Sequence, residues 1–175
     1  MIKAALLVSI TLTLTACTSA TPSSQPSDLT PLPSSESSEV QAPAPIVESV
    51  PVLLSGTTSK YYEFSQSEFN KAVDKHKVIY LEFYATWCPT CKAQEPAILG
   101  AFQKLTDTNL VGFRVNYRDS FTDLDEKALS EQYNVTYQHT KVILHDGEVL
   151  FNKNEIWNEQ TALKRLSEYQ DVHGH

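Results

Sequence analysis

Every aromatic residue of the chain, two Trp, eight Tyr and seven Phe, falls between Tyr61 and Tyr169. Seven of the nine prolines fall before residue 52. A core needs large apolar side chains that leave water together, and dense proline interrupts both helices and ladders. The first third of the 175 residues therefore supplies no core, and one domain must be built from the rest.

The amino-terminal segment reads as an address. After Lys3 the chain runs apolar to Ala16, but only 13 residues separate Lys3 from Cys17, and four of them are Ser or Thr. A membrane-spanning helix needs about 20 apolar residues. Residues 1–16 therefore fit an export signal peptide. Leu14-Thr15-Ala16-Cys17 resembles the lipobox of bacterial lipoproteins. That resemblance implies cleavage before Cys17 and a diacylglycerol on its sulfur; the alternative is a plain signal with an incidental cysteine. A lipid anchor holds a soluble domain at a membrane surface. The expected location is the cell envelope, on the extracytoplasmic side (periplasm or cell surface), where disulfide chemistry persists.

Residues 17–57 read as the lipidated cysteine and a Ser/Pro-rich linker. From Thr18 to Ser55 there is no aromatic, no Gly and no Lys or Arg, a composition that cannot offset chain entropy. As a flexible coil such a linker reaches about 35 Å, and as extended polyproline about 115 Å. Its Ile46–Leu54 patch is apolar enough to lie on the domain as an extended arm. The formal net charge is −7. This excludes a nucleic-acid binder, which needs a basic face, and the linker carries part of it through Asp28, Glu36, Glu39 and Glu48.

Residues 58–175 carry the periodicity of a domain. Ser65-Gln66-Ser67-Glu68 has capping-box spacing and predicts a helix start. Val78–Tyr84 is a near-continuous apolar run of strand length, as in a central buried strand. A helix follows over Cys91–Leu105, then a strand over Leu110–Val115. Asp123–Tyr133 is a second capped helix, with Asp123 and Glu126 in register. Lys141–His145, Asp146-Gly147 and Glu148–Phe151 spell a hairpin with a two-residue turn, and Asn158 caps a last helix. The order predicts an α/β domain with a mixed central sheet flanked by helices, its helix-linked strands parallel and its hairpin antiparallel.

The chemistry lies in Trp87-Cys88-Pro89-Thr90-Cys91-Lys92, between the apolar strand and the helix. Two cysteines three apart at a helix start are within disulfide reach. Unpaired N–H groups and the helix dipole there stabilise a thiolate. Cys88 is thus the expected exposed, acidified nucleophile, and Cys91, one turn in, the resolving thiol. Half of a zinc site has the same spacing, but no second cysteine pair completes a four-cysteine site.

The stretch Val78–Pro96, with Tyr84–Lys92 at its centre, resembles the active-site strand and helix of the thioredoxin-like family. It is especially similar to the carboxy-terminal domain of bacterial transmembrane thiol–disulfide transporters. The resemblance implies a thioredoxin-like fold and a membrane-anchored thiol–disulfide oxidoreductase with no cofactor beyond the Cys88–Cys91 redox disulfide. Its partners would be exported cysteine-containing proteins and a membrane thiol donor. It also implies that Pro96 bends the helix, that Trp87 shields the disulfide, and that Glu82 is the buried acid that takes the Cys91 proton. The competing role for Glu82 is a core carboxylate paired with a base such as Arg114.

One position departs from the family. Where its members carry a cis-proline opposite the cysteines, this chain has His139, and no proline follows Pro96. Cis bonds are rare without proline, so a differently shaped trans loop is expected. Three roles stay open for His139: an imidazolium that lowers the Cys88 pKa, a Cu or Zn ligand together with Cys88 and Cys91, or none. The second makes the alternative function a metal-binding or metallochaperone module.

Overall fold

The apolar run at Val78–Tyr84 becomes the middle of a six-stranded sheet, with all seven residues buried. The computed structural model describes residues 50–171; the expected signal peptide, Cys17 and most of the expected linker lie outside them. In chain order the elements are β1 (Leu53–Ser55), β2 (Lys60–Glu63), α1 (Gln66–Asp74), β3 (Val78–Tyr84), α2 (Pro89–Lys104), β4 (Leu110–Asn116), α3 (Leu124–Gln132), β5 (Thr140–His145), β6 (Glu148–Asn154) and α4 (Glu159–Asp171). The sheet order is β1-β2-β4-β3-β5-β6. β4 is parallel to both β2 and β3, and the remaining pairs are antiparallel. No helix of the described residues is long and apolar enough to cross a membrane.

Strand alternation divides the core into two layers. Ile79, Leu81 and Phe83 enter one core with Phe113, Val115, Val142 and Leu144, closed by Phe69 of α1 and Leu129 of α3. Val78 and Tyr80 enter the other with Ile143 and Trp157, closed by Ile98 and Phe102 of α2 and Leu166 of α4. Gly112 leaves room there: a Cβ on it would stand 2.5 Å from Phe102 Cζ. By the same alternation Glu82 belongs to the α2 side. The Asp146-Gly147 turn has positive φ at both residues, 49° and 80°, as a type I′ hairpin requires.

Three sequence expectations are corrected. The Ser65 capping box does not form: Ser65 makes no side-chain cap bond, its Oγ bonds Ser67 Oγ at 2.9 Å, and Glu68 pairs with Lys71. Burial of Phe69 and Ala72 holds α1 instead. Second, the sheet begins at Leu53, ahead of residue 58. The end of the apolar patch pairs as an edge strand, tied by Ser55 Oγ to the Leu99 carbonyl at 2.7 Å. Third, β5 follows a helix yet runs antiparallel to β3. Both neighbours of β4 are already strands, so β5 joins the free edge of β3. The chain arrives there at the carboxy-terminal end of β3, where His139 N donates to Phe83 O at 2.6 Å.

Candidate active site

β3 delivers the chain to the start of α2, and the turn between them is fixed by the loop after β4. Asp119 accepts from Thr86 N, the Trp87 indole N–H donates to the Arg118 carbonyl at 2.9 Å, and Tyr117 N donates to Tyr84 O at 2.8 Å. Trp87 remains 55% exposed. Cys88 is the N-cap of α2 and Pro89 opens the helix, a place where its missing N–H costs nothing. Cys88 Sγ accepts from Cys91 N at 3.2 Å, so one orphan helix donor is spent on this sulfur. Pro96 lies inside α2 and removes one helical bond further along.

Both cysteines are free thiols. Contrary to the sequence expectation, Cys88 is not exposed: it is 2% accessible, and Cys91 1%. The two pack with Tyr84 and Ala85 in a small cluster of their own. Burial, then the hydrogen bond to Cys88, pushes the Cys91 thiol up to about 12. Cys91 thus keeps its proton until something nearby takes it.

Glu82 lies 2% exposed in the adjoining core. Its carboxylate accepts from Tyr61 OH at 2.9 Å and Gln94 Nε2 at 3.0 Å. Its cationic partner is Lys141, with Nζ 3.7 Å from Oε1. Arg114, the base expected from sequence, stands beside Glu82 in the β3–β4 register but turns its guanidinium to Glu63 and Glu95. Lys141 is fully buried. Its Nζ donates to the carbonyls of His139 at 3.0 Å and Glu155 at 2.8 Å and lies 5.5 Å from the Trp157 ring centre. Burial raises the Glu82 pKa against the pull of Lys141 and Tyr61. Burial lowers the Lys141 pKa against the pull of Glu82. Each group is displaced toward its neutral form.

His139 closes the site from the loop before β5. All peptide bonds of the described residues are trans, and His139 has φ 52°, a left-handed conformation that costs a non-glycine residue roughly 1–3 kcal/mol. Its ring joins both cysteines: ligand atoms of Cys88, Cys91 and His139 all lie within 4.8 Å of one another. Burial, then the Lys141 charge, lowers its pKa. This favours neutral imidazole and weighs against an imidazolium at Cys88.

The structure therefore brings together Cys88, Cys91 and His139, with Trp87 at the rim; Glu82 lies buried on β3 and reaches Cys91 through its charge. Cys17 lies outside the described residues. Sequence reasoning missed Lys141, Gln94, Tyr61 and Asp119. Two carried a usable signal: Gln94 is one helical turn beyond Cys91, and Lys141 is a lone cation directly ahead of the apolar run Val142–Leu144 in β5.

Comparison with known proteins adds a family. The thioredoxin family model matches residues 60–168. The chain is 34% identical over 61 residues to a thioredoxin of Coprinus comatus, covering 35% of this chain and 57% of that protein. It is 30% identical over 94 residues to Thioredoxin H2 of Arabidopsis thaliana, covering 51% and 65%. The chain thus spans less than two thirds of the length of these curated relatives. Among solved structures, the J-Trx1 fragment of ERdj5 superposes with a TM-score of 0.54 at 15% identity, covering 66% of this chain and 52% of that one; this likeness is one of fold.

Proposed function

The chain belongs to the thioredoxin family, and from that premise we propose that it is a thiol–disulfide oxidoreductase exchanging electrons through Cys88 and Cys91. Cys88 Sγ attacks a disulfide of the partner protein. The mixed S–S bond forms as the partner's own bond breaks, and one partner sulfur leaves as a thiolate. Cys91 then attacks Cys88 Sγ, closing the Cys88–Cys91 bond and releasing the second partner sulfur. The Cys91 proton passes to the Glu82 carboxylate as it attacks, and from there to the departing thiolate or to water. With a dithiol partner the same steps run backwards. The observation that carries this reading is the Cys88–Cys91 pair at the start of α2, with Cys88 as N-cap and Cys91 N donating to Cys88 Sγ at 3.2 Å.

The finer assignment rests on sequence. The lipobox-like Leu14–Cys17 and the linker after it support a lipoprotein anchored by Cys17 in the cell envelope and facing the extracytoplasmic side. Exported proteins with cysteines are then the substrates. The likeness of Tyr84–Lys92 to transporter domains supports a membrane thiol donor.

Insulin reduction with dithiothreitol as electron source tests the activity. Wild type accelerates precipitation and Cys88→Ser does not; equal rates overturn the proposal. Cys17→Ala tests the anchor by fractionation. Release of the protein from membranes supports it, and unchanged membrane retention overturns it.

A further inference from the structure

Exchange chemistry gives no work to the His139 ring. It sits at the mouth of the cysteine pair, its Nδ1 is buried, and that nitrogen has no hydrogen-bond partner. A buried nitrogen lone pair or N–H left without a partner costs roughly 1–3 kcal/mol. The backbone bears a further cost, since His139 holds a left-handed φ. The loop that holds it there is tightly tied: His139 N to Phe83 O, His139 O to Lys141 Nζ, and Thr140 Oγ1 to the Tyr137 carbonyl at 2.7 Å. These ties, with a side-chain hydrogen bond to Asn154, hold the imidazole beside two sulfurs.

We propose that Cys88, Cys91 and His139 form a binding site for a soft monovalent metal ion, Cu(I), in the reduced protein. Two sulfurs and one imidazole nitrogen, all within 4.8 Å of one another, have the spread of atoms that share one ion after small side-chain rotations. Thiolates select Cu(I) and Zn(II) over hard cations, and imidazole suits both. The coordination number decides between them. Zinc takes four ligands, with water as the fourth where the protein offers three. Among the described residues, the metal-ligating groups here number three, and Cys88 and Cys91 are 2% and 1% accessible, so the sulfurs have little room for a bound water. Three donors, two of them buried sulfurs, suit trigonal Cu(I). Binding displaces the protons the two sulfurs carry, forms two Cu–S bonds and one Cu–N bond, and changes no oxidation state. An ion held by both sulfurs leaves neither free to attack, so metal binding and disulfide exchange exclude each other at this site.

The test uses the full-length chain, reduced and anaerobic, titrated with Cu(I) against a chromogenic Cu(I) chelator. Wild type is expected to hold one equivalent, and His139→Ala to bind at least tenfold more weakly. A wild type that yields all its copper to the chelator overturns the proposal, as does an H139A protein that binds as tightly as wild type. X-ray absorption of copper-loaded wild type needs no variant and guards against a misfolded one. Two sulfur and one nitrogen scatterers support the site, and a sulfur-only shell overturns the role of His139. A parallel Zn(II) titration separates the ions: zinc held more tightly than copper overturns the choice of Cu(I). None of these readouts depends on exchange activity, so they stand apart from the insulin assay.

Discussion

Two glutamates of this protein are equally buried and differ in what they face. Glu82 and Glu126 are each 2% exposed, and burial raises the pKa of both. Glu126 spends its two oxygens on rigid donors: Oε1 accepts from Asn116 N at 2.8 Å and Asn116 Nδ2 at 2.9 Å, and Oε2 from Asp123 N at 3.0 Å. It closes the capping box of α3 and ties that helix to the end of β4. Glu82 accepts from two side chains and faces a lysine. Three donors, two of them backbone N–H groups, make a carboxylate structural, whereas side-chain partners alone beside a titratable cation leave one able to take and return a proton. Burial and pKa direction alone do not separate the two cases; the donor set does.

The largest expected effect is therefore on folding, at the site with no chemistry. Glu126→Ala strands three donors and opens the glutamate half of the α3 capping box, and should cost about 3 kcal/mol. Urea unfolding measures it as a fall in midpoint at unchanged slope. Insulin reduction by the folded variant should stay near wild type. A loss below 1 kcal/mol would break the comparison from the structural side.

Glu82→Gln keeps the shape and removes the base. Resolution of the mixed disulfide should slow by about 10²-fold, a typical share for general base catalysis, while attack by Cys88 stays near wild type. Quenched-flow trapping of the mixed disulfide separates the two steps. Equal resolution rates would make Glu82 another Glu126.

A smaller effect is a pH signature. The ordinary glutamate value is 4.5 and the folded value lies above it. Between the two, the native state binds more protons than the unfolded chain, so this group's contribution to stability falls as pH rises through that window. Removing it should make the stability of Glu82→Gln, relative to wild type, rise with pH above 4.5. Urea titrations from acid to neutral pH measure this, and a flat difference would place the Glu82 shift elsewhere.

Much of this was legible in the chain because its signals are local. The apolar run of β3, the Asp-Gly turn and the cysteine pair each show within a few residues. What could not be read depends on partners distant in sequence. Glu82 has Arg114 beside it in one register and Lys141 in the other. Only the arrangement of Glu63 and Glu95 around Arg114 leaves Lys141 as the partner. The burial of Cys88 has the same origin in part: Tyr84 and Ala85 pack on it locally, but His139 comes to it from the loop before β5. β2 is four residues long; it pairs antiparallel with the three-residue β1 and parallel with a strand some fifty positions away, and both strands of that short hairpin are too brief to show a periodicity.

The two capping boxes give the smallest test of the same lesson. Ser65-x-x-Glu68 and Asp123-x-x-Glu126 look alike in sequence, yet only the second closes. Glu126 is held in place by Asn116 and so is available to Asp123 N, whereas Glu68 is drawn to Lys71 at 2.9 Å. Asp123→Ala should cost about 1 kcal/mol, the usual worth of an N-cap. Ser65→Ala should stay within about 0.5 kcal/mol, as for an ordinary surface change. Urea midpoints of the two variants decide it. Equal losses would mean that Ser65 caps α1 in solution, and that a box forms wherever its sequence occurs, with or without a tertiary hold on its glutamate.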